Sequence, residues 1–223
     1  MSILRRPPSD GRDGSGSDLG LIRLTATGEL DPTFGSGGKV INSFSSVYEV
    51  AYRMVVQPDD KIILAGQIYD SYVADASHSL LVRYTSNGSL DGTFGNGGAV
   101  ISDFSEINDG FLSVALQPDG RIVAAGQIDV ALGDEAFSVA RFHDDGTIDT
   151  SFSGGHVVFD FGSGYDYPNI VGIQSDGKIV LAGATQVGDS FALARLLGYD
   201  VSIVGNPGDD TIRIEPGSLA GTL

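Results

Sequence analysis

A repeat of about 60 residues constrains the fold of this 223-residue chain more than any other feature. Phe34, Phe94 and Phe152 lie 60 and 58 positions apart. Similar intervals separate a set of glutamines and a set of arginines, namely Gln57, Gln117 and Gln174, and Arg23, Arg83, Arg141 and Arg195. Several markers that recur together indicate one supersecondary unit copied along the chain.

Each repeat predicts four short strands and no helix. In the first unit these are "GGKVINSF", "YRMVVQ", "KIILAGQI" and "LLVRY", all rich in Val, Ile, Leu or Phe and bounded by turn residues. The second and third strands are joined by a tight hairpin, as in "QPDGR", where Pro118 presets φ and Gly120 supplies a positive φ. In the first unit Asp60 stands where that glycine is expected, and we predict a left-handed conformation for it.

Four-stranded units that stack around an axis form a β-propeller. The sequence therefore predicts an all-β propeller segment of about three four-stranded blades, from about residue 38 to 196, preceded by an orphan strand "LGLIRL". Known propellers have about four to eight blades, so we expect an incomplete ring and a fragment of a longer protein. The alternative is a fourth blade improvised from "LGLIRL" and tail strands near 200–214.

The Gly-rich stretches "LDPTFGSGG", "LDGTFGNGG" and "IDTSFSGG" are interpreted as connections between strands. A phosphate-binding loop would need a helix after it, and no helical pattern follows. We expect Asp31, Asp91 and Asp149 to cap backbone amides and the three repeat phenylalanines to be buried. The repeat arginines are expected to form ion pairs or backbone clamps, and the repeat glutamines are expected to be structural as well.

Two stretches resemble known repeats. "LQPDGRIVAAG", "SVARFHDDGTIDTSF" and "FALARL" resemble the bacterial delta-60 repeat, a propeller-forming repeat of large surface and secreted proteins. That resemblance implies an extracellular or cell-surface location within a longer protein, and it transfers no catalytic residue. "VGNPGDDTIRI" is similar to the calcium-binding nonapeptide of RTX proteins, with Asn206 in place of a glycine.

These resemblances divide the chain into three parts: a loop remnant of a preceding blade (1–19), the propeller repeats (20–197) and the start of a second β domain (198–223). The RTX-like stretch makes Asp209 and Asp210 candidate calcium ligands, provided that the pattern continues downstream. No other cofactor is expected. The three histidines, His78, His143 and His156, share no metal-ligand spacing, and we expect them on the surface.

Composition excludes several classes of function. The formal charge of −16 repels nucleic acid and anionic membranes. No apolar stretch approaches the ~20 residues of a transmembrane helix. The absence of cysteine excludes disulfides, thiolate metal sites and a Cys nucleophile.

Residues that break the repeat are the candidates for binding. Tyrosines and acids cluster in the variable loops, and the candidate binding residues are Tyr69, Tyr72, Asp134, Tyr165 and Tyr167. Such side chains stack on and hydrogen-bond a sugar, or serve a protein interface. We therefore expect a non-catalytic scaffold or interaction module that binds a protein or glycan. The alternatives are a dedicated glycan-binding module and a calcium-dependent, lactonase-like propeller hydrolase, because fold alone does not decide function.

Overall fold

The computed structural model describes residues 2–3, 18–44, 48–69, 77–105, 107–162, 164–186, 190–197, 200–204 and 211–214. Within these ranges the regular structure is sixteen β-strands and one three-residue 3₁₀ helix, Ser153–Gly155. The predicted all-β class is confirmed. No helix in the described part of the chain has the length and apolar character needed to span a membrane.

The first compact unit is Met1–Gly110, and it contains two antiparallel sheets. One sheet has the order β1-β2-β3, formed by β1 (Ser2–Ile3), β2 (Leu19–Ile22) and β3 (Lys39–Asn42). The other has the order β4-β5-β6-β7, formed by β4 (Tyr48–Val56), β5 (Ile62–Tyr69), β6 (Ser77–Tyr84) and β7 (Ala99–Ser102). Their apolar faces share one core, which includes Leu21, Phe34, Leu64 and Val82.

The second compact unit is Phe111–Leu223. Its first sheet has the order β11-β10-β9-β8, formed by β8 (Asp109–Leu116), β9 (Ile122–Ala131), β10 (Asp134–Phe142) and β11 (His156–Phe159). Its second sheet runs from β12 to β16 in order, formed by β12 (Asp166–Ile173), β13 (Ile179–Thr185), β14 (Ser190–Leu197), β15 (Asp200–Val204) and β16 (Thr211–Ile214). Phe137, Phe159 and Leu181 lie in the core that these two sheets share.

The grouping of strands differs from the sequence prediction. The "GG" strand was expected to open each unit, but β3, β7 and β11 each close the sheet of the strand before them. The Gly-rich connection itself produces this pairing, because Arg83 N–H donates to Gly98 O at 2.8 Å and Asp91 N–H donates to Arg83 O at 2.9 Å. These bonds join β6 and β7 into one hairpin. The prediction therefore assigned each "GG" strand to the following sheet, whereas it belongs to the preceding one. The structure has sheets of three, four, four and five strands.

The tail strands do not combine with "LGLIRL" in the described part of the chain. β2 pairs with β1 and β3, whereas β15 pairs with β14 and β16. Residues 200–204 therefore extend the sheet that begins at β12. Among the described strands, the two segments of the improvised fourth blade considered from sequence thus belong to different sheets.

The hairpin turns lie where the sequence predicts them. Residues 58–60, 118–120 and 175–177 form turns that connect β4 to β5, β8 to β9 and β12 to β13. Gly120 has φ 87° and Asp60 has φ 63°, so the aspartate does adopt the left-handed conformation that the glycine adopts in the second unit. The turn chemistry therefore fixes the register of each hairpin.

A second recurrent glycine is explained by close packing. Gly66 and Gly183 lie in β5 and β13, each opposite an irregularity in the neighbouring strand. A methyl group added at Gly66 would lie 1.8 Å from Val50 O, and one added at Gly183 would lie 1.9 Å from Tyr167 O. Both positions require glycine because a neighbouring carbonyl occupies the space of a side chain.

Candidate functional site

Three repeats contain an Arg–Asp–Phe group. The Arg Nε to Asp Oδ2 distance is 2.8 Å in each of the pairs Arg23–Asp31, Arg83–Asp91 and Arg141–Asp149. Each guanidinium also lies over a ring three residues beyond the aspartate, at 4.6 Å, 4.6 Å and 4.7 Å from the centres of Phe34, Phe94 and Phe152. All three rings are buried, as predicted. The group combines an ion pair with a cation–π contact.

The aspartates of these groups also cap the next turn. Asp91 Oδ1 accepts hydrogen bonds from Thr93 N at 3.1 Å and from Thr93 Oγ1 at 2.6 Å. Asp149 Oδ1 accepts the same two bonds from Ser151, and Asp31 Oδ1 accepts them from Thr33. Burial alone would raise the pKa of Asp91, but the Thr93 hydrogen bonds and the Arg83 charge outweigh it and hold that pKa at about 2. Asp149 has a pKa of about 2 for equivalent reasons.

A second cation reaches two of these carboxylates from a hairpin turn. Lys61 Nζ lies 3.3 Å from Asp91 Oδ2, and Arg121 Nε lies 2.9 Å from Asp149 Oδ2. Each carboxylate thus joins the turn between the first two strands of its sheet to the third strand. Arg23, Arg83 and Arg141 therefore stabilise the fold from within, and the ion-pair interpretation matches their contacts.

The repeat glutamines close hairpin turns. The N–H groups of Gln57, Gln117 and Gln174 donate to the carbonyl four residues later, at 2.8, 2.9 and 2.8 Å. In addition, Gln117 Nε2 donates to Gly177 O at 3.0 Å and so links the two sheets of the second unit. Their contacts are those of structural residues.

Arg195 differs from the other repeat arginines. It lies exposed on β14, and the residue eight positions later is Ile203, not an aspartate. No ion pair found among the described residues includes Arg195.

A repeated buried carboxylate escaped the sequence analysis. Glu49, Asp109 and Asp166 lie 60 and 57 residues apart and are 3%, 0% and 1% exposed. Each accepts the N–H of the residue five positions earlier, which is Phe44, Phe104 or Phe161, at 2.7, 3.1 and 2.9 Å. Burial raises the pKa of both Asp109 and Asp166. The intervals of 60 and 57 equal those of the repeat glutamines, so the sequence did carry the signal.

The second unit brings together tyrosines and acids from its variable loops. We call it the tyrosine–carboxylate cluster, and its members are Asp129, Asp134, Glu135, Tyr165 and Tyr167. Glu135 N–H donates to Gly164 O at 2.8 Å, and Gly164 N–H donates to Asp134 Oδ1 at 2.8 Å. These bonds tie the β9–β10 hairpin to the start of β12. They place Asp134, Tyr165 and Tyr167, three of the predicted binding residues, side by side.

The two tyrosine rings of the cluster form an exposed aromatic surface. Their centroids are 6.0 Å apart and their planes differ by 9°. Tyr165 is 37% exposed and Tyr167 is 38% exposed. Leu132, at the tip of the β9–β10 hairpin, is 92% exposed and adds an apolar contact surface to that hairpin.

The cluster has a negative electrostatic character. Burial, and then the charge of Asp129, raises the pKa of Glu135. Burial, and then the charge of Glu135, raises the pKa of Tyr167. Glu135 Oε2 is buried, with no hydrogen-bond partner among the described residues. A cation bound here would lower the repulsion among these groups.

The other predicted binding residues lie elsewhere. Tyr69 belongs to the first unit, where its ring packs edge-on against Tyr48 at 5.1 Å. Tyr48 occupies the repeat position of Tyr165, one residue before the buried carboxylate. Tyr72 lies outside the described residues, as do Asp209 and Asp210, the candidate calcium ligands.

One histidine does lie among carboxylates. Ligand atoms of His78, Asp103 and Asp109 lie within 4.8 Å of one another, and His78 Nδ1 is 3.6 Å from Asp103 Oδ1. Asp109 already uses both oxygens, because they accept Ser79 N–H at 2.6 Å and Phe104 N–H at 3.1 Å. Both oxygens of the Asp109 carboxylate therefore serve as hydrogen-bond acceptors that hold the loop before β8.

The remaining histidines have different surroundings. His143 is half-exposed, with Nε2 3.8 Å from Asp149 Oδ1. His156 was expected on the surface, but it is partly buried and its Nε2 lies 2.8 Å from Ser138 Oγ. Burial lowers the pKa of His156 to about 4, so the ring is neutral at pH 7. The expectation failed because His156 pairs with Ala140 across two adjacent strands.

Comparison with known families matches the repeat markers. Residues 9–34, 57–94, 117–152 and 174–198 match the family described as "Domain of unknown function (DUF5122) beta-propeller". These segments cover more than half of the chain. The last three begin at Gln57, Gln117 and Gln174, and the first three end at the repeat phenylalanines. No curated protein matches the chain at a significant level.

Proposed function

Because the chain belongs to this β-propeller family, we propose that it is a non-catalytic interaction module that binds partners through the tyrosine–carboxylate cluster. The observation that carries the proposal is the stacked pair Tyr165–Tyr167 beside Glu135. Arg23, Arg83 and Arg141, with the aspartates and phenylalanines of their repeats, are engaged in internal contacts. The residues that break the repeat are therefore the ones available for a partner.

The chemistry of the cluster favours a cationic protein segment. A Lys or Arg side chain over the face of a tyrosine gains a cation–π contact, and nearby carboxylates strengthen it. The charges of Glu135 and Asp129 act on Tyr167, so they would also attract a cation that lies over its ring. The formal charge of −16 adds long-range attraction for a basic partner.

Glycan binding is the second candidate function. Its support is the near-parallel arrangement of Tyr165 and Tyr167, since a flat aromatic face stacks on a sugar ring. Asp134 and Glu135 would then accept hydrogen bonds from sugar hydroxyls. Glycan binding would depend weakly on salt, whereas binding of a basic peptide would weaken strongly as salt rises.

The location proposed for this module is the cell surface or the extracellular space, within a longer bacterial protein. The supporting observation is the resemblance of "LQPDGRIVAAG" and "SVARFHDDGTIDTSF" to the delta-60 repeat. Calcium stays a proposal of the same kind, based on the RTX-like "VGNPGDDTIRI".

The test is a binding titration of the whole chain with two probes, tetralysine and a panel of neutral oligosaccharides. The double variant Tyr165→Ala/Tyr167→Ala removes the aromatic surface. The matched control is Tyr48→Ala, which removes the tyrosine at the equivalent repeat position of the first unit. We expect tetralysine to bind the wild type and the control alike, and the double variant at least about tenfold more weakly.

Binding of oligosaccharides alone, lost in the double variant, would establish the glycan-binding alternative. If neither probe binds, or if binding is equal in all three proteins, the assignment of the cluster as a binding surface is wrong.

A further inference from the structure

The second unit contains a cation pair for which its own repeat has no aspartate at the equivalent sequence position. In the two preceding repeats, a strand arginine and a turn cation meet at one aspartate. Asp149 Oδ2 accepts from Arg141 at 2.8 Å and from Arg121 at 2.9 Å. Asp91 is held in the same way by Arg83 and Lys61. The repeat thus defines a geometry in which two cations bind one carboxylate.

The fourth matched segment keeps both cations of this geometry. Lys178 follows the hairpin turn as Lys61 and Arg121 do, and Arg195 lies on the strand position of Arg141. The segment ends at residue 198, and the printed sequence after Arg195 contains no Asp-x-Thr-Phe or Asp-x-Ser-Phe. Ile203 stands eight residues after Arg195, and it pairs with Ala194 in the sheet.

A pocket opens at these two cations. Its volume is about 560 Å³, and its charged lining residues are Arg141, Lys178, Arg195 and Asp176. Phe152, Leu196 and Gln117 also line it. Within the described part of the chain, Lys178 forms an ion pair with Asp176 of its own turn, and Arg195 forms none. Gln117 Oε1 is a buried acceptor for which the described residues supply no hydrogen-bond donor.

We infer that this pocket is a receptor site for a carboxylate followed by an aromatic side chain, the chemistry of the repeat's own Asp-x-Thr-Phe segment. Lys178 and Arg195 bind the carboxylate as the turn and strand cations bind Asp149. Phe152 and Leu196 provide apolar contacts for the ring. The lining of the pocket holds three cations, Arg141, Lys178 and Arg195, against one acid, Asp176, so the pocket attracts an acidic group although the chain as a whole has a charge of −16. This inference does not depend on the tyrosine–carboxylate cluster.

Two sources can supply such a carboxylate, and one experiment distinguishes them. The first probe is a capped peptide with the sequence of residues 89–98, "SLDGTFGNGG", whose aspartate is its only charged group. The second probe is malonate, a free carboxylate without a ring. Each is titrated into the ¹⁵N-labelled whole chain while the arginine Nε–H signals are followed by NMR. A peptide in which the aspartate is replaced by asparagine controls for charge.

We expect the Asp peptide to shift the Arg195 Nε–H signal in a saturable way and the Asn peptide to bind about tenfold more weakly. Arg195→Gln and Lys178→Gln should each weaken the Asp peptide by a similar factor. Arg53→Gln, which removes an exposed arginine of the first unit, should leave its affinity unchanged. Saturable binding of malonate at the same signals, without peptide binding, would assign the pocket to small carboxylates.

Three results would overturn the inference. The first is that neither probe produces a saturable shift at Arg195. The second is that both probes bind Arg195→Gln as tightly as they bind the wild type. Alternatively, Arg195→Gln lowers the melting temperature while no probe binds the wild type, which would mean that a carboxylate of the chain itself already fills the pocket.

Discussion

Replacing Asp149 with asparagine tests the two-cation geometry directly. The change keeps the shape of the side chain but removes the charge that holds Arg121 and Arg141. Asp149 has a pKa of about 2, against an ordinary value of 3.8. At about 1.4 kcal/mol per pKa unit, this difference corresponds to roughly 2 kcal/mol of stability at pH 7. We therefore expect Asp149→Asn to lower the free energy of unfolding by about that amount.

The pH dependence of the effect has a definite sign. A carboxyl whose pKa is depressed by folding stabilises the fold above pH 3.8 and loses that contribution as the pH falls toward 2. The wild type and Asp149→Asn should therefore differ most at pH 5–7 and converge as the pH approaches 2. Urea unfolding followed by far-UV circular dichroism, repeated at several pH values, measures the difference.

The control for this series is Asp18→Asn, which neutralises an exposed aspartate. It should change stability by less than about 0.5 kcal/mol at every pH. If Asp149→Asn behaves like Asp18→Asn at pH 7, or if its deficit is the same at pH 3 as at pH 7, the ion-pair account of the repeat is incorrect.

Two further substitutions test the packing of the blades. Gly183→Ala should destabilise the chain by about 2–3 kcal/mol, because the added methyl group would overlap Tyr167 O. The control is Gly172→Ala, whose methyl group would have no atom within 4 Å, so it should be neutral or slightly stabilising. Equal effects in urea unfolding would refute the close-approach argument. Phe94→Ala should cost about 3–5 kcal/mol and Phe191→Ala, at a site 65% exposed, less than about 0.5 kcal/mol. A small loss at Phe94 in the same assay would show that its ring is not part of the core.

Local chemistry made much of the fold predictable. Pro118 and Gly120 specify a tight turn whatever surrounds them, and the recurrence of Phe94 every 60 or so residues marks it as a core residue. The strand grouping was not predictable in the same way. A strand such as β7 carries the same apolar pattern whether it pairs with β6 before it or with β8 after it. Hydrogen bonds within the Gly-rich connection determine which strand β7 pairs with, and no pattern of apolar residues encodes those bonds.

The candidate sites were predictable only in part. Tyr165, Tyr167 and Asp134 stood out because tyrosines and acids cluster in the variable loops, but the contact between the β9–β10 hairpin and β12 that joins them is tertiary. Glu49, Asp109 and Asp166 were missed because the first repeat has Glu where the other two have Asp, although the spacing is regular. The Arg195 pocket can be recognised as a candidate site only by comparison with the repeats in which the two cations bind an aspartate.

The offset between the repeated motif and the folded sheet determines where such a chain can be divided. The motif ends with the Gly-Gly step at 97–98, whereas the sheet ends with β7 at Ser102. A chain cut at 98 would leave β6 as an unpaired edge, and unpaired edges promote association with other strands. A chain cut between 103 and 108 would keep the sheet complete. The point at which the repeat is taken to begin therefore does not matter when the motif is copied along a chain. It does matter when the chain is shortened or grafted, because the cut decides whether the sheet stays complete.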